Sequence, residues 1–298
     1  MRPSEGLGNR VSLSIGDIGY ELATQDNGIV LTLDPDYIPF IRDCDPDISL
    51  RVHFDRMNEV ELGPVLFDSG GVWVLHASNE EYVYGFRAAE ASPWGGLGFS
   101  AMMRLNRDLT TGSLSIRPPV DEQATSVPAF GHASSEVLTV ALLSRGRGVE
   151  LHGLGLESQG AGYLFCGVSG AGKSTTARIW CRESEVEILS DDRIIVRKAD
   201  GAFSIYGTPW HGDAGFASPA SVRLDRLFFL RQGSTNSIRP LSSGEATANL
   251  MTCCFATFWN LEGMAFTLSF LDEMATSVPC YELTFCKDHS MVDFVRQL

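Results

Sequence analysis

The residues best suited to chemistry lie between positions 167 and 175, where the chain reads GVSGAGKST. Two glycines with four residues between them are followed by lysine and a hydroxyl residue, the spacing of a phosphate-binding (Walker A) loop. Such glycines let the backbone turn its N–H groups toward phosphate oxygens at the positive end of a helix dipole. We therefore expect a nucleotide to contact Gly167, Val168, Ser169, Gly170, Ala171, Gly172, Lys173, Ser174 and Thr175.

Lys173 and Ser174 have separate expected roles within this stretch. Lys173 would act as a catalytic group over the β- and γ-phosphates, and the Ser174 hydroxyl would ligate the Mg²⁺ that bridges them. The loop needs a strand before it and a helix after it. Apolar residues 163–166 predict the strand, and residues 174–180, which contain no glycine or proline, predict the helix. The alternative, a glycine-rich turn with an incidental lysine, is disfavoured by these flanks.

Two further features lie on predicted strands near the loop. Asp191 and Asp192 follow the predicted strand at residues 186–189, where one carboxylate can hold Mg²⁺ and the other can accept a proton from an attacking hydroxyl. The alternative for this pair is a solvated turn. His152 lies in the predicted strand at residues 148–156. An isolated strand histidine is more often structural or exposed, so His152 gains interest only beside the loop and the acidic pair.

Together these features resemble the C-terminal catalytic domain of the HPr kinase/phosphorylase family. That family has a VHG strand, a GDSGVGKS-type loop and an ADD strand end. This chain has LHG at 151–153, GVSGAGKS at 167–174 and SDD at 190–192, in the same order and at near-identical spacing. The resemblance covers roughly residues 134–298. It is closest to HPr-kinase-like proteins of bacterial gene clusters, some of which phosphorylate peptide precursors such as those of lasso peptides, and it extends distantly to the phosphoenolpyruvate carboxykinase loop.

The resemblance implies a kinase that transfers the γ-phosphoryl group of ATP to a Ser or Thr hydroxyl of a peptide or small protein. Carried over by position, Asp191 is the general base, His152 tunes that base, and Ser174 and Asp192 contact Mg²⁺. The cofactors implied are ATP and Mg²⁺, and the family also suggests a homo-oligomer.

The chain departs from the family pattern just before Gly207. Ser204 and Tyr206 stand where the family has a glutamate and an arginine, which argues against the reverse, phosphate-removing reaction and against the usual protein partner. The loop at residues 207–215 could line the acceptor side of the site, or it could be only an ordered turn after a hairpin. Two alternative functions therefore stay open: a kinase for a small-molecule hydroxyl, and a nucleotide-responsive regulatory module.

Composition limits the partners and the location. The net charge of −14 argues against nucleic acid or an anionic membrane as a partner bound through a basic surface. Seven cysteines without a C-x-x-C pair indicate reduced thiols. No signal peptide and no apolar run of membrane-spanning length is evident in the sequence. We therefore expect a cytoplasmic protein.

The 298 residues predict two domains of α/β (α+β) class. Residues 1–125 read as a recognition or regulatory domain of short antiparallel strands, and residues 126–298 as the kinase-like domain, with a linker at 118–128. The second domain is expected to be a mixed sheet with helices on its faces. Its local signals include a hairpin turn at Asp200-Gly201 and a helix over residues 246–258 with Ser242 as N-cap.

Overall fold

The computed structural model describes residues 7–26, 28–54, 62–78, 80–87, 98–117 and 126–298. It confirms the predicted α+β class, with a β-rich N-terminal half and a mixed sheet in the C-terminal half. Two compact units are present, Met1–Thr139 and Val140–Leu298. Residues 118–125 lie outside the described part of the chain. They make up most of the predicted linker and adjoin the predicted domain boundary after residue 125.

In its described part, the first unit contains an eight-stranded sheet in the order β1-β2-β4-β9-β8-β7-β6-β5, and a separate parallel pair of β10 with β3. A 3₁₀ helix, Pro35–Phe40, precedes β4. The strands are β1 (Arg10–Ile15), β2 (Ile18–Ala23), β3 (Val30–Thr32), β4 (Ile48–Phe54), β5 (Val65–Asp68), β6 (Trp73–Ala77), β7 (Glu81–Arg87), β8 (Phe99–Asn106), β9 (Thr111–Ile116) and β10 (Ser126–Pro128).

The expectation that this sheet is antiparallel was wrong in its middle. Strand β4 pairs in parallel with both β2 and β9. Turn signals in the sequence indicate how two strands pair only when those strands follow each other closely along the chain. The connection from β2 to β4 instead contains β3 and the 3₁₀ helix, which is long enough for a parallel crossover.

The division between the units falls inside helix α1 (His132–Leu143). The elements that follow are β11 (Val149–Ser158), β12 (Ala161–Cys166), α2 (Lys173–Trp180), β13 (Val186–Ser190), β14 (Arg193–Ala199), β15 (Ala202–Tyr206), β16 (Ser221–Gln232), β17 (Ser237–Pro240), α3 (Ser243–Cys253), α4 (Leu261–Ser277), β18 (Cys280–Phe285) and α5 (Ser290–Arg296).

Two long strands, β11 and β16, are shared by two sheets of the second unit. The first half of β11 pairs with β14, and its second half pairs with β12 and β13. The first half of β16 pairs with β15, and its second half pairs in parallel with β12 and β18. Each long strand therefore passes from one sheet into the other.

Helices cover both faces of the sheet that contains β12. On one face α3 and α4 bury Leu250, Leu271 and Met274 against strand residues such as Leu164 and Leu227. On the other face α2 and α5 pack against a second apolar cluster, which includes Trp180, Phe165, Phe228, Phe285 and Val292. Burial of these side chains is the main contribution that stabilises this sheet and its helices.

The structure confirms the predicted hairpin turn and the predicted N-cap of α3 in this unit, and it corrects the predicted end of that helix. The hairpin turn is present, with positive φ at both Asp200 and Gly201, as a type I′ turn requires. The capping box joins Ser242 and Glu245 at the start of α3. However, α3 ends at Cys253 and does not reach residue 258, because Cys254 turns extended and bridges to Leu151 of β11.

None of the helices in the described ranges has both the length and the hydrophobicity that crossing a bilayer requires.

Candidate functional site

The glycine loop, residues 167–172, joins the end of β12 to the start of α2, as the sequence predicts. Gly172 has φ of +113°, and a Cβ atom there would lie 2.7 Å from the Phe285 ring. A Cβ atom on Gly167 would lie 2.7 Å from the Ala171 Cβ atom. Only glycine fits at these two positions, so the loop stays narrow and its backbone N–H groups remain near the start of α2.

Lys173 is buried inside this loop, with 7% of its surface exposed. Its Nζ atom donates hydrogen bonds to the carbonyl oxygens of Gly167 at 2.7 Å and Val168 at 3.4 Å. Burial lowers the pKa of Lys173, and the negative charge of Asp192 opposes that shift. Since these two carbonyls carry no net charge, the buried ammonium group is suited to bind an anion.

Strand β11 brings the predicted residues together where it changes sheets. His152 is the register partner of Arg193 in one sheet, and Gly153 is the partner of Cys166 in the other. The Gly153 N–H donates to the Asp192 carbonyl at 3.0 Å. The histidine, the acidic pair and the start of the glycine loop therefore meet at one strand junction.

Asp192 is the member of the acidic pair that faces this junction. Its side chain is 23% exposed, and its Oδ1 atom lies 3.5 Å from the His152 Nδ1 atom. Its Oδ2 atom accepts a hydrogen bond from Arg193 Nη1. The Arg193 guanidinium also lies 3.6 Å from the buried Glu150 and packs over the Phe255 ring, with 4.3 Å to the centroid. The Arg193 guanidinium thus orients the Asp192 carboxylate, which remains partly exposed at the strand junction.

Two charged groups of opposite sign approach the Nδ1 atom of His152. Arg193 Nη1 lies 3.2 Å from His152 Nδ1. The Asp192 Oδ1 atom, an acceptor, lies 3.5 Å from the same nitrogen, so the ring is held between a cation and a carboxylate.

Asp191 has a different environment, with only 1% of its surface exposed. Its Oδ1 atom accepts from the N–H groups of Gly212 at 3.0 Å and Phe216 at 3.3 Å, and its Oδ2 atom accepts from Ala214 N–H at 2.9 Å. The carboxylate is therefore engaged in holding the loop at residues 207–217 against the end of β13. This geometry suits an anchor, although the family resemblance implies a general base at Asp191.

A pocket of about 270 Å³ opens beside the glycine loop. It is lined by His152, by the first three residues of the loop and by residues 252–255 at the end of α3. The loop residue Val168 is 66% exposed at its rim. A small group that enters this pocket would lie next to both the loop and His152.

The hydroxyl residues Ser174 and Thr175 lie half-buried in the first turn of α2. Within the described ranges, no group of three or more His, Cys, Asp or Glu side chains could hold a metal ion by itself. Mg²⁺ commonly uses one or two protein oxygen ligands and completes its shell with phosphate and water. Ser174 and Asp192 match that requirement in type and number.

Sequence reasoning missed Arg193, Phe255 and Cys253 as neighbours of the site. Arg193 follows the acidic pair directly, so a charge next to two carboxylates was a usable signal. Phe255 and Cys253 come from the end of α3, far along the chain, and no local pattern marks them.

The fold and the site define a class: an α+β protein whose sheet junction combines a glycine-rich loop, an acidic pair and a histidine. A family model described as SynChlorMet cassette protein ScmC matches residues 122–287 of the chain. This match spans more than half of the sequence and contains the glycine loop, the acidic pair and His152. The chain therefore belongs to the ScmC family. No curated protein matches the chain.

Proposed function

We propose that this protein is an ATP-dependent kinase that transfers the γ-phosphoryl group to a Ser or Thr hydroxyl of a peptide or small protein. The observation that carries the proposal is the strand junction, where the Asp192 carboxylate and His152 lie beside the start of a glycine loop that contains the buried Lys173. A loop of this kind binds phosphate through backbone N–H groups and a lysine. A carboxylate beside it can activate a hydroxyl.

The residues present fit ATP and Mg²⁺. The loop is too narrow to accept a Cβ atom at Gly167 or Gly172, as expected where a backbone wraps a phosphate. Lys173 and the N–H groups at the start of α2 would hold the phosphates, while Ser174 would contact the metal directly and Asp192 through water. Bound ATP would supply the phosphoryl group that is transferred.

We assign the general base to Asp192 and an anchoring role to Asp191. The three N–H groups that bind Asp191 occupy both of its oxygens. Asp192 has one oxygen held by Arg193 and the other near His152. In this arrangement Asp192 accepts the proton of the acceptor hydroxyl, and His152, which lines the pocket, helps to orient that hydroxyl.

Nucleotide binding is tested first by calorimetric titration with Mg-ATP. Lys173→Met should weaken binding at least tenfold, because it removes the buried cation of the loop. Lys198→Met is the matched control, since Lys198 lies toward the far end of β14 and pairs with Glu273 at the surface. Equal affinities of the Lys173 variant and the wild type would refute the proposal.

The acceptor is then sought with labelled ATP and Mg²⁺ in lysate of the source organism, followed by identification of the labelled species. Asp192→Asn should lower transfer by about 10²–10⁴, the usual contribution of a positioned base, and should weaken Mg-ATP binding much less than Lys173→Met does, because its contact with the metal is through water. A variant that transfers label at the wild-type rate would exclude Asp192 as the base.

A small-molecule hydroxyl is the second candidate acceptor, because the pocket beside the loop has only about 270 Å³. That volume suits one small metabolite, or one side chain of a peptide. Offering ATP with single hydroxy amino acids and following ADP release separates the two acceptor classes. ATP binding without ADP release against any acceptor would favour the regulatory module, the alternative raised by Ser204 and Tyr206.

The seven free thiols support the cytoplasmic location that is part of this proposal.

A further inference from the structure

A carboxylate is buried beside the strand junction. Glu150 lies in β11, two residues before His152, and its side chain is fully buried. Its Oε1 atom lies 3.6 Å from the Arg193 Nε atom. Removing a carboxylate from water is costly, and apolar residues of similar size often stabilise a fold as well as a buried ion pair does. Stability alone therefore does not account for the charge at position 150.

The strand register places Glu150, His152 and Arg193 on one face of the sheet. Side chains two residues apart in a strand point the same way, so Glu150 and His152 share a face. In the antiparallel strand β14, Arg193 is opposite His152, and Ile195 is opposite Glu150. Arg193 is therefore the diagonal neighbour of Glu150, a separation that a long side chain can span.

Three groups hold the Arg193 guanidinium in place. Its Nε atom faces Glu150, and its Nη1 atom donates to Asp192 Oδ2. The Phe255 ring covers the guanidinium, with 4.3 Å from Cζ to the ring centroid. Phe255 is itself tied to β11, since its N–H donates to the Glu150 carbonyl at 3.0 Å. The cation is thus confined between a buried carboxylate and the carboxylate that faces the site.

We propose that Glu150 is a positioning residue that holds Arg193, and through it the Asp192 carboxylate, in the orientation needed for phosphoryl transfer. This role rests on the proposed function. The side chain of Glu150 is fully buried, so it acts through Arg193 and not on the acceptor. Without the charge of Glu150 the guanidinium loses its inner partner and follows Asp192 when that side chain turns. A base contributes to the rate only within hydrogen-bond reach of the proton that it accepts.

Glu150→Gln removes the charge and keeps the size of the side chain. Label transfer from Mg-ATP in the lysate assay should become about 10–100-fold slower at saturating Mg-ATP, the cost of displacing a reacting group by about 1 Å. The Mg-ATP concentration that gives the half-maximal rate should change by less than about twofold, because Lys173 and the loop N–H groups keep their positions. Glu273→Gln, at a glutamate that pairs with Lys198 on the surface, is the matched control and should transfer at the wild-type rate.

A double-mutant cycle separates positioning from a general loss of structure. In the Asp192→Asn background, Glu150→Gln should change the transfer rate by less than about twofold, because no carboxylate base remains to be positioned. A purely structural role would slow both backgrounds by the same factor, and that result would overturn the proposal. If glutamine at position 150 prevents folding, Glu150→Asp, which keeps the charge one methylene farther from Arg193, enters the same cycle and should slow transfer only when Asp192 is present.

Crystal structures of the wild type and of Glu150→Gln supply a readout that does not depend on activity. We expect Arg193 Nη1 to lose its contact with Asp192 Oδ2, or the two side chains to move together, in the variant. Unmoved Arg193 and Asp192 side chains would refute the positioning role. A wild-type protein that transfers no label would instead refute the proposed function, and the two structures would still decide whether Glu150 holds Arg193.

Discussion

The two carboxylates of the acidic pair should respond in opposite ways to the same substitution. Asp191→Asn should destabilise the second unit, and Asp192→Asn should leave stability nearly unchanged but lower phosphoryl transfer. The difference follows from their contacts: Asp191 accepts from three backbone N–H groups, whereas Asp192 is partly exposed and contacts Arg193 and His152.

The magnitude for Asp191→Asn comes from its hydrogen bonds. The side-chain oxygen of an asparagine can still accept hydrogen bonds from the N–H groups of Gly212 and Phe216. Its NH₂ group then faces the Ala214 N–H, so two donors point at each other. Loss of one charge-assisted hydrogen bond and burial of an unpaired donor cost about 2–4 kcal/mol. For a unit the size of Val140–Leu298 a loss of about 3 kcal/mol lowers Tm by roughly 6–12 °C. The partly exposed ion pair of Asp192 contributes about 1 kcal/mol or less.

The assay compares thermal unfolding and phosphoryl transfer of both variants, with Asp200→Asn, at the tip of the β14–β15 hairpin, as the control. Transfer is measured at a temperature where every variant is folded. Equal melting temperatures for Asp191→Asn and the wild type would refute the anchoring role. Loss of transfer in the Asp191 variant with unchanged melting would show that Asp191, and not Asp192, is the base.

Three other predictions follow from local geometry. Gly172→Ala should abolish ATP binding and lower Tm, because its Cβ atom would lie 2.7 Å from Phe285, whereas Gly170→Ala, where a Cβ meets nothing within 4 Å, should cost only about 1–2 kcal/mol. Alkylation of Cys253 by iodoacetamide should reach half its maximal rate near pH 6, since its pKa is about 6; a midpoint near pH 9 contradicts this. Hydrogen bonds from the N-cap serine lower the pKa of Glu245 to about 2, so its stabilising contribution is complete above about pH 4.5 and is lost as the pH falls through 2. The stability of Glu245→Gln, measured by acid unfolding, should lack this pH-dependent contribution.

Much of the fold was predictable where neighbours in sequence decide the structure. The strand before the glycine loop, helix α2, the Asp200-Gly201 hairpin and the capping box of α3 each depend on a few consecutive residues. The parallel pairing of β4 and the end of α3 were not predictable in this way. The first depends on a crossover, and the second on the bridge between Cys254 and Leu151.

The sequence by itself determined the chemical groups of the candidate site: a glycine loop with Lys173 and Ser174, two adjacent carboxylates and His152. Tertiary structure decided how those groups divide their roles. Asp191 and Asp192 are neighbours in the chain, yet one faces the N–H groups of the 207–217 loop and the other faces the strand junction. Only long-range pairing of β11 with two sheets, and packing of α3 beneath the loop, creates these two environments. Local patterns cannot contain that information, because the residues that meet there are far apart in sequence.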